Sequence, residues 1–185
     1  MPSAILWIII GIIAIIILYF IFAYNKLITL RTRIENAWSQ IDVQLKRRYD
    51  LIPNLISTVK GYVKHEKTTL ETVTKMRTSL ISGTMSEKSK ASDAISNALK
   101  TIFAVAENYP NLKANENFKL LQEELAGTES KIAYSRQFYN DNVMEYNAKI
   151  QHFPASIIAN MFKFTAKEFF KTESKEERKV VKVEF

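Results

Sequence analysis

Two histidines occur, His65 and His152, and only His65 has a carboxylate beside it, Glu66. His-Glu opens a zinc-protease helix when a second histidine four residues on completes one metal-binding face. Position 69 is Thr69, so that face is missing. Glu123 and Glu124 are adjacent, and neighbouring helical side chains point about 100° apart, a poor arrangement for two carboxylates sharing a substrate as acid and base. Cysteine is absent, which removes disulfides, thiolate metal sites and cysteine nucleophiles without saying anything about compartment. The sequence also lacks a glycine-rich phosphate loop and a nucleophile elbow. It therefore predicts a non-enzyme with no metal, no cofactor and no small-molecule substrate.

The remaining chemistry is that of contact. Lys46, Arg47 and Arg48 are consecutive, and three helical positions cover about 200° of the circumference. Two readings stand open: a solvated face paired with Asp42 and Asp50, or a contact for an anionic partner. Tyr139-Asn140 and Tyr146-Asn147 repeat at seven residues, which puts both tyrosines on one helical stripe and both asparagines beside it. They read either as core with the hydroxyls satisfied at its rim or as a strip for a partner. Trp38, Gln40 and Asp42 are expected to face this region across a helical bundle. These ten residues form the candidate surface for a partner or a second copy. Nucleic acid is not expected, because the cations are not interleaved with aromatics and the chain is tethered to a membrane.

The tether is the strongest feature of the chain. Ala4 to Ala23 are twenty uncharged positions, ten of them isoleucine, and the first Lys is Lys26. At about 1.5 Å per residue the run is about 30 Å long, the thickness of a bilayer's hydrocarbon. Lipid offers backbone amides no other partner, so the span must be helical. Taking about −0.5 kcal/mol for each of its fourteen Ile, Leu and Phe gives on the order of −7 kcal/mol for insertion. A cleaved signal is the competing reading, but the run has no Lys or Arg before it and no small-x-small site after it. Lys26, Arg31 and Arg33 follow the span, so the positive-inside rule predicts an N-terminus outside and the remainder in the cytoplasm of the cell's inner membrane. Trp7, Tyr19 and Tyr24 suit aromatic belts at its two ends.

Beyond the membrane only Gly61, Gly83 and Gly127 and only Pro53, Pro110 and Pro154 occur, too little turn chemistry for a sheet. Charge is uneven: residues 26–64 carry eight Lys and Arg against three Asp and Glu, and residues 65–162 carry eleven of each. From Leu27 to Val63 apolar residues recur in steps of three and four, one long helical seam with a near-heptad pattern. Pro53 falls inside it without changing its phase and is expected to kink the helix. A second helix is predicted over Leu70 to Leu80 and a third, capped near Ser86, over Ile95 to Ala106, closed by Tyr109 and Pro110. The fourth runs from Phe118 to Ile150. Thr128, Ser135 and Asn142 interrupt its apolar stripe, either as small register-setting positions or as a polar pocket. If the first helix runs straight on, Lys46 to Arg48 lie on the order of 35 Å beyond the bilayer, several Debye lengths of about 8 Å.

After Pro154 come Ile157, Ile158, Met161, Phe162, Phe164, Phe169 and Phe170, a segment that docks on the bundle or lies on the membrane, with Lys163, Lys167 and Lys171 at spacing four on its polar side. Candidate membrane-surface contacts are Lys26, Arg31, Arg33, Phe162, Lys163, Phe164, Lys167, Phe169, Phe170 and Lys171. Residues from Lys175 onward read as a frayed tail.

The stretch Asn36-Ala-Trp-Ser-Gln-Ile-Asp-Val-Gln-Leu-Lys-Arg-Arg-Tyr-Asp-Leu-Ile-Pro-Asn-Leu, with Thr58 to Tyr62, His65-Glu66, Glu107 to Ala114, Thr128-Glu129, Arg136, Tyr139-Asn140, Tyr146-Asn147 and Phe153-Pro154, resembles the bacterial LemA family over nearly the whole chain. The resemblance implies an N-terminal membrane helix and a cytoplasmic antiparallel bundle. Relatives take part in building magnetosome membranes, and others are linked with HtpX-like membrane metalloproteases. Lys163 stands where the family pattern has glycine. The expected protein is all-α: an anchor over 1–25, an elongated antiparallel bundle of about four long helices over 26–153, and an amphipathic segment with a mobile tail over 154–185. The leading expectation is a self-associating scaffold or adaptor that organises the membrane surface. The alternative is an accessory subunit of a membrane protease or signalling protein. The bilayer, further copies and a membrane protein are the partners implied.

Overall fold

The computed structural model describes residues 2–62 and 67–171. His65, Glu66 and the residues from Thr172 onward, including the tail expected to be mobile, lie outside the described residues. Among the described residues seven helices follow in order: α1 (Pro2–Lys60), α2 (Lys67–Arg77), α3 (Ser79–Ser82), α4 (Met85–Ala106), α5 (Pro110–Lys113), α6 (Glu116–Gln151) and α7 (Ala155–Met161). The described residues contain no strand, which agrees with the all-α expectation. The second expected helix is realised as two short ones, α2 and α3, divided at Thr78.

Helix boundaries follow local chemistry. Lys60 ends α1 beside Gly61, with a cation in the last turn facing the negative end of the helix dipole. Gly83 follows α3 because a Cβ there would meet the Ser79 carbonyl oxygen at 2.5 Å. Thr84, two positions before the expected cap, opens α4 with a reciprocal capping box: its hydroxyl accepts from the Glu87 amide and the Glu87 carboxylate accepts from the Thr84 amide. Tyr109, which precedes Pro110, is held at φ −121° and ψ 84°, outside the helical region, and so separates α4 from α5. Asn115 caps α6 by accepting from the Phe118 amide at 3.1 Å.

The chain divides into two compact units. Unit 1 comprises residues 1–38 and 137–169, and unit 2 comprises 39–136 with the segment from Phe170. In unit 1, Leu27, Leu30, Ile34 and Ala37 of α1, Tyr139, Val143 and Tyr146 of α6, and Ala155, Ile158 and Ala159 of α7 are buried. In unit 2, Ile41, Leu45, Ile52 and Leu55 of α1 are buried with Ile95, Leu99 and Ile102 of α4 and Phe118, Leu125 and Ile132 of α6. The span predicted from sequence, by contrast, is bare: large side chains from Ile5 to Leu18 are roughly half to three-quarters exposed, as a helix whose packing partner is lipid must be.

Pro53 stays inside α1. Having no N–H, it leaves the carbonyl of Tyr49 without its helical donor. Arg77 of α2 supplies one instead: its Nε donates to the Tyr49 oxygen at 2.9 Å, while its guanidinium stacks 3.7 Å from the Tyr49 ring centroid.

Candidate functional site

Unit 2 buries charge. Arg48 is 0% exposed, so it is removed from the partner surface on which the basic run placed it. Its Nη1 donates to the carbonyl of Ser92 at 3.1 Å, to Ser92 Oγ at 3.0 Å and to Ser96 Oγ at 3.2 Å, and its Nη2 pairs with Glu129. Ser96 Oγ lies 2.8 Å from Glu129 Oε1. Desolvation first, and the like charge of Arg136 next, lower the Arg48 pKa to about 10, against the pull of Asp93. Arg136 donates to Asp93 Oδ1 at 2.7 Å and lies 4.7 Å over the ring of Phe170. This cluster ties α1, α4 and α6 together through a residue whose long apolar stem can be buried only where its head finds acceptors.

The other members of the basic run remain outside. Lys46 is exposed and pairs with Asp50 at 2.7 Å on its own helix. Arg47, also exposed, pairs with Glu124 of α6. Asp42 is engaged by Lys88 of α4. Lys46 thus pairs with Asp50 as the solvated reading has it, whereas Arg47 and Asp42 take partners on other helices and Arg48 fits neither reading.

Between them α1 and α6 leave an open groove of about 420 Å³. Gln40, Val43 and Gln44 line one wall, and Lys131, Tyr134 and Ser135 the other. Val43 is 60% and Tyr134 70% exposed, and the Gln44 side-chain oxygen is buried without a hydrogen-bond donor. No described segment of the chain covers this face. Gln40 is the one member of the expected surface that lines it; Tyr134 and Val43 carried no signal beyond being apolar residues off the helical seam.

The tyrosine and asparagine repeat belongs to unit 1 and is occupied by the chain itself. Tyr146 is 1% and Tyr139 2% exposed, both in the core. Trp38, half-buried, meets Tyr139 edge-on at 5.9 Å. The Tyr139 hydroxyl donates to the Glu168 carbonyl at 3.0 Å. Asn147 grips the backbone of Lys167 at both ends, Nδ2 donating to its carbonyl and Oδ1 accepting from its amide, each at 2.8 Å. Burial raises the pKa of both tyrosines; the Glu168 carboxylate adds to the rise at Tyr139, and Arg31 opposes it at Tyr146. Asn140 is half-buried. Both tyrosines lie in the core, and the hydroxyl of Tyr139 is satisfied by the chain itself. Of the interrupting polar residues, Thr128 donates to the Glu124 carbonyl at 2.8 Å and Asn142 to that of Phe138 at 2.7 Å, each within α6, whereas Ser135 lines the groove.

The C-terminal segment departs from its amphipathic-helix reading. It is not helical from Phe164 to Lys171, so the four-residue spacing of Lys163, Lys167 and Lys171 aligns no face. Phe170 is 1% exposed under Arg136 rather than on a membrane, and Ser89 donates to the carbonyl of Lys171. Phe164 is half-buried against Tyr24 at 6.0 Å. Phe169 remains 43% exposed and Phe162 45%, and Lys163 is exposed. Lys163 has φ 55°. It stands one residue past the cap of α7 in a Schellman turn, with Phe164 N bonded to Ala159 O at 2.9 Å and Lys163 N to Asn160 O at 3.2 Å. The left-handed geometry explains why glycine is expected there. Near the span, Lys26 pairs with Glu145 at 3.3 Å and Arg31 with Glu35 at 3.1 Å, while Arg33 is exposed.

Among the described residues no cluster of three or more His, Asp and Glu is placed to hold a metal ion. One described helix is long and apolar enough to cross a membrane, the N-terminal part of α1.

The profile of the LemA family matches residues 37–185. A protein named LemA from Metamycoplasma hominis is 29% identical over 150 residues, covering 77% of this chain and 67% of that one. Magnetosome protein MamQ 2 of Paramagnetospirillum magneticum is 23% identical over 174 residues, covering 80% of this chain and 64% of the relative. The chain therefore spans about two thirds of the length of these relatives. Magnetosome protein MamQ of Magnetospirillum gryphiswaldense is 29% identical over 80 residues, 43% of this chain and 29% of that one.

Proposed function

We propose that this chain, which belongs to the LemA family, is a non-enzymatic scaffold whose helical body associates with further copies of itself at the surface of the inner membrane. The chain is a membrane-anchored helical protein. Its scaffold role rests on the open groove between α1 and α6, where Tyr134, 70% exposed, and Val43, 60% exposed, belong to walls that no described segment covers. Such a face offers both a knob and a hole, which is what an isologous contact between two copies requires. Lys26, Arg31 and Arg33 favour a body on the cytoplasmic side. The kinship with proteins named for the magnetosome favours work on a membrane surface.

Sedimentation of the full chain in mild detergent tests this reading. Oligomers of the parent that fall to monomers in Val43→Lys/Tyr134→Lys are expected. A parent that stays monomeric at the highest concentration reached would refute self-assembly, and a stoichiometric second protein copurifying from cells would point to an accessory subunit instead.

A further inference from the structure

We propose that the outer face of α7, with Phe162 at its end, is embedded in the bilayer that α1 crosses, so that the α6–α7 corner of unit 1 is a second, monotopic membrane contact whose partner is the lipid surface. It rests on α1 crossing the membrane and is independent of self-association. The depth is fixed by packing within unit 1. The apolar run of α1 ends at Ala23, three residues before the first charge at Lys26, yet the protein's own cover on that helix begins before the run ends: residues up to Leu18 are well exposed, whereas Phe20 is partly covered and Ala23 is 1% exposed. The cover is α7. Ile158 and Ala159 pack with Ala23 and Leu27 in one cluster, and the Phe162 ring lies 5.8 Å from that of Phe20 and 4.7 Å from that of Tyr24. At about 1.5 Å of rise per residue, Phe20 is about 5 Å inside the end of the apolar run. A side chain that touches it sits at the boundary between acyl chains and headgroups, the depth at which interfacial helices bury one face.

The free face of α7 has the composition that this depth demands. Ile157 and Met161 lie four residues apart on α7 and are 54% and 61% exposed, while Phe153 in the turn before the helix is 82% and Phe162 at its cap 45% exposed. Single exposed apolar residues are ordinary on a protein surface, but a stripe continuous with a membrane span marks a lipid contact. Lys163 follows immediately and is exposed, which suits an anionic headgroup. The lipid contact expected of residues 162–171 thus contracts to the seven-residue helix and its cap.

With no native cysteine, the full chain accepts one nitroxide label per variant. Ile157→Cys, Met161→Cys, Ile9→Cys within the span and Lys100→Cys on the exposed side of α4 are placed in vesicles of phosphatidylethanolamine and phosphatidylglycerol. Relaxation by oxygen, which partitions into lipid, is compared with relaxation by a water-soluble nickel chelate. Labels at 157 and 161 are expected to resemble the label at 9, with nickel accessibility severalfold below that at 100. Labels at 157 and 161 that behave as the one at 100 while 9 remains in lipid would overturn the proposal and leave the anchor standing. All four in water would remove the anchor and the proposal with it. Shielding of 157 and 161 from both reagents would mean that protein, not lipid, covers α7, and would also overturn it.

Discussion

Unit 1 and unit 2 join the same two long helices by different chemistry. In unit 1 the buried contacts are aliphatic and aromatic, and the polar groups of α6 are spent on the backbone of an extended segment, Tyr139 on Glu168 and Asn147 on Lys167. Unit 2 buries a full charge at Arg48 and surrounds it with Ser92, Ser96 and Glu129. Apolar surface attracts without direction, whereas a desolvated guanidinium tolerates only the register in which its acceptors are present. The comparison teaches that specificity of helix pairing in this protein is concentrated in unit 2 and adhesion in unit 1.

The sharpest way to break that contrast is to remove the charge. Arg48→Ala is expected to cost about 3 kcal/mol, because it leaves Glu129 and two serines without their donor. Arg48→Met/Glu129→Leu should recover most of this. Urea unfolding followed by circular dichroism in detergent measures both, and a single Arg48→Met as stable as the parent would show that the charge carries no special weight. In unit 1, Asn147→Ala removes two hydrogen bonds to Lys167 and is expected to cost about 2 kcal/mol, and Tyr139→Phe about 1 kcal/mol. Hydrogen exchange should rise at 164–169 in both, and unchanged exchange there would show that the segment is held by its phenylalanines alone.

Smaller effects sharpen the picture. Arg77→Ala should cost about 1 kcal/mol in the parent and little in a Pro53→Ala background, where residue 53 again offers Tyr49 an N–H; a double-mutant cycle reads the coupling. Lys163→Gly is expected to raise stability by about 0.5–1 kcal/mol by relieving the left-handed conformation, as thermal unfolding would register.

Alkaline pH should separate the units by sign. The tyrosine pKa values are raised on folding, so their contribution is complete below the unfolded value of 10 and is lost as pH rises through the folded values. The Arg48 pKa is lowered on folding to about 10, so its folded form releases the proton first and its share of stability grows as pH rises through that value. Exchange protection in unit 1 that failed to fall above pH 10 would contradict the assignment.

What the sequence disclosed was periodic. The span, the long first helix running through Pro53 and the fourth helix all follow from apolar steps of three and four, and the glycine-like position of Lys163 was visible as a departure from a family pattern. Arg48 was not legible: its acceptors lie 44, 48 and 81 residues away, and nothing local separates it from Lys46 and Arg47. The Thr84-x-x-Glu87 box is legible in the letters and lies two positions before Ser86, near which the sequence predicts the cap. Regular lysine spacing after α7 suggests a helix, but the backbone of Lys167 gives its amide and its carbonyl to Asn147 and the segment is not helical.

The scaffold account stands or falls on what touches Tyr134 in the membrane. A photo-crosslinking benzophenone amino acid at position 134 of the full chain, irradiated in intact cells, is predicted to give a covalent product of twice the chain mass containing only this protein, while the same group at the exposed position Lys100 of α4 gives none. Adducts from position 134 that contain other proteins alone, or no adducts at all, would contradict it.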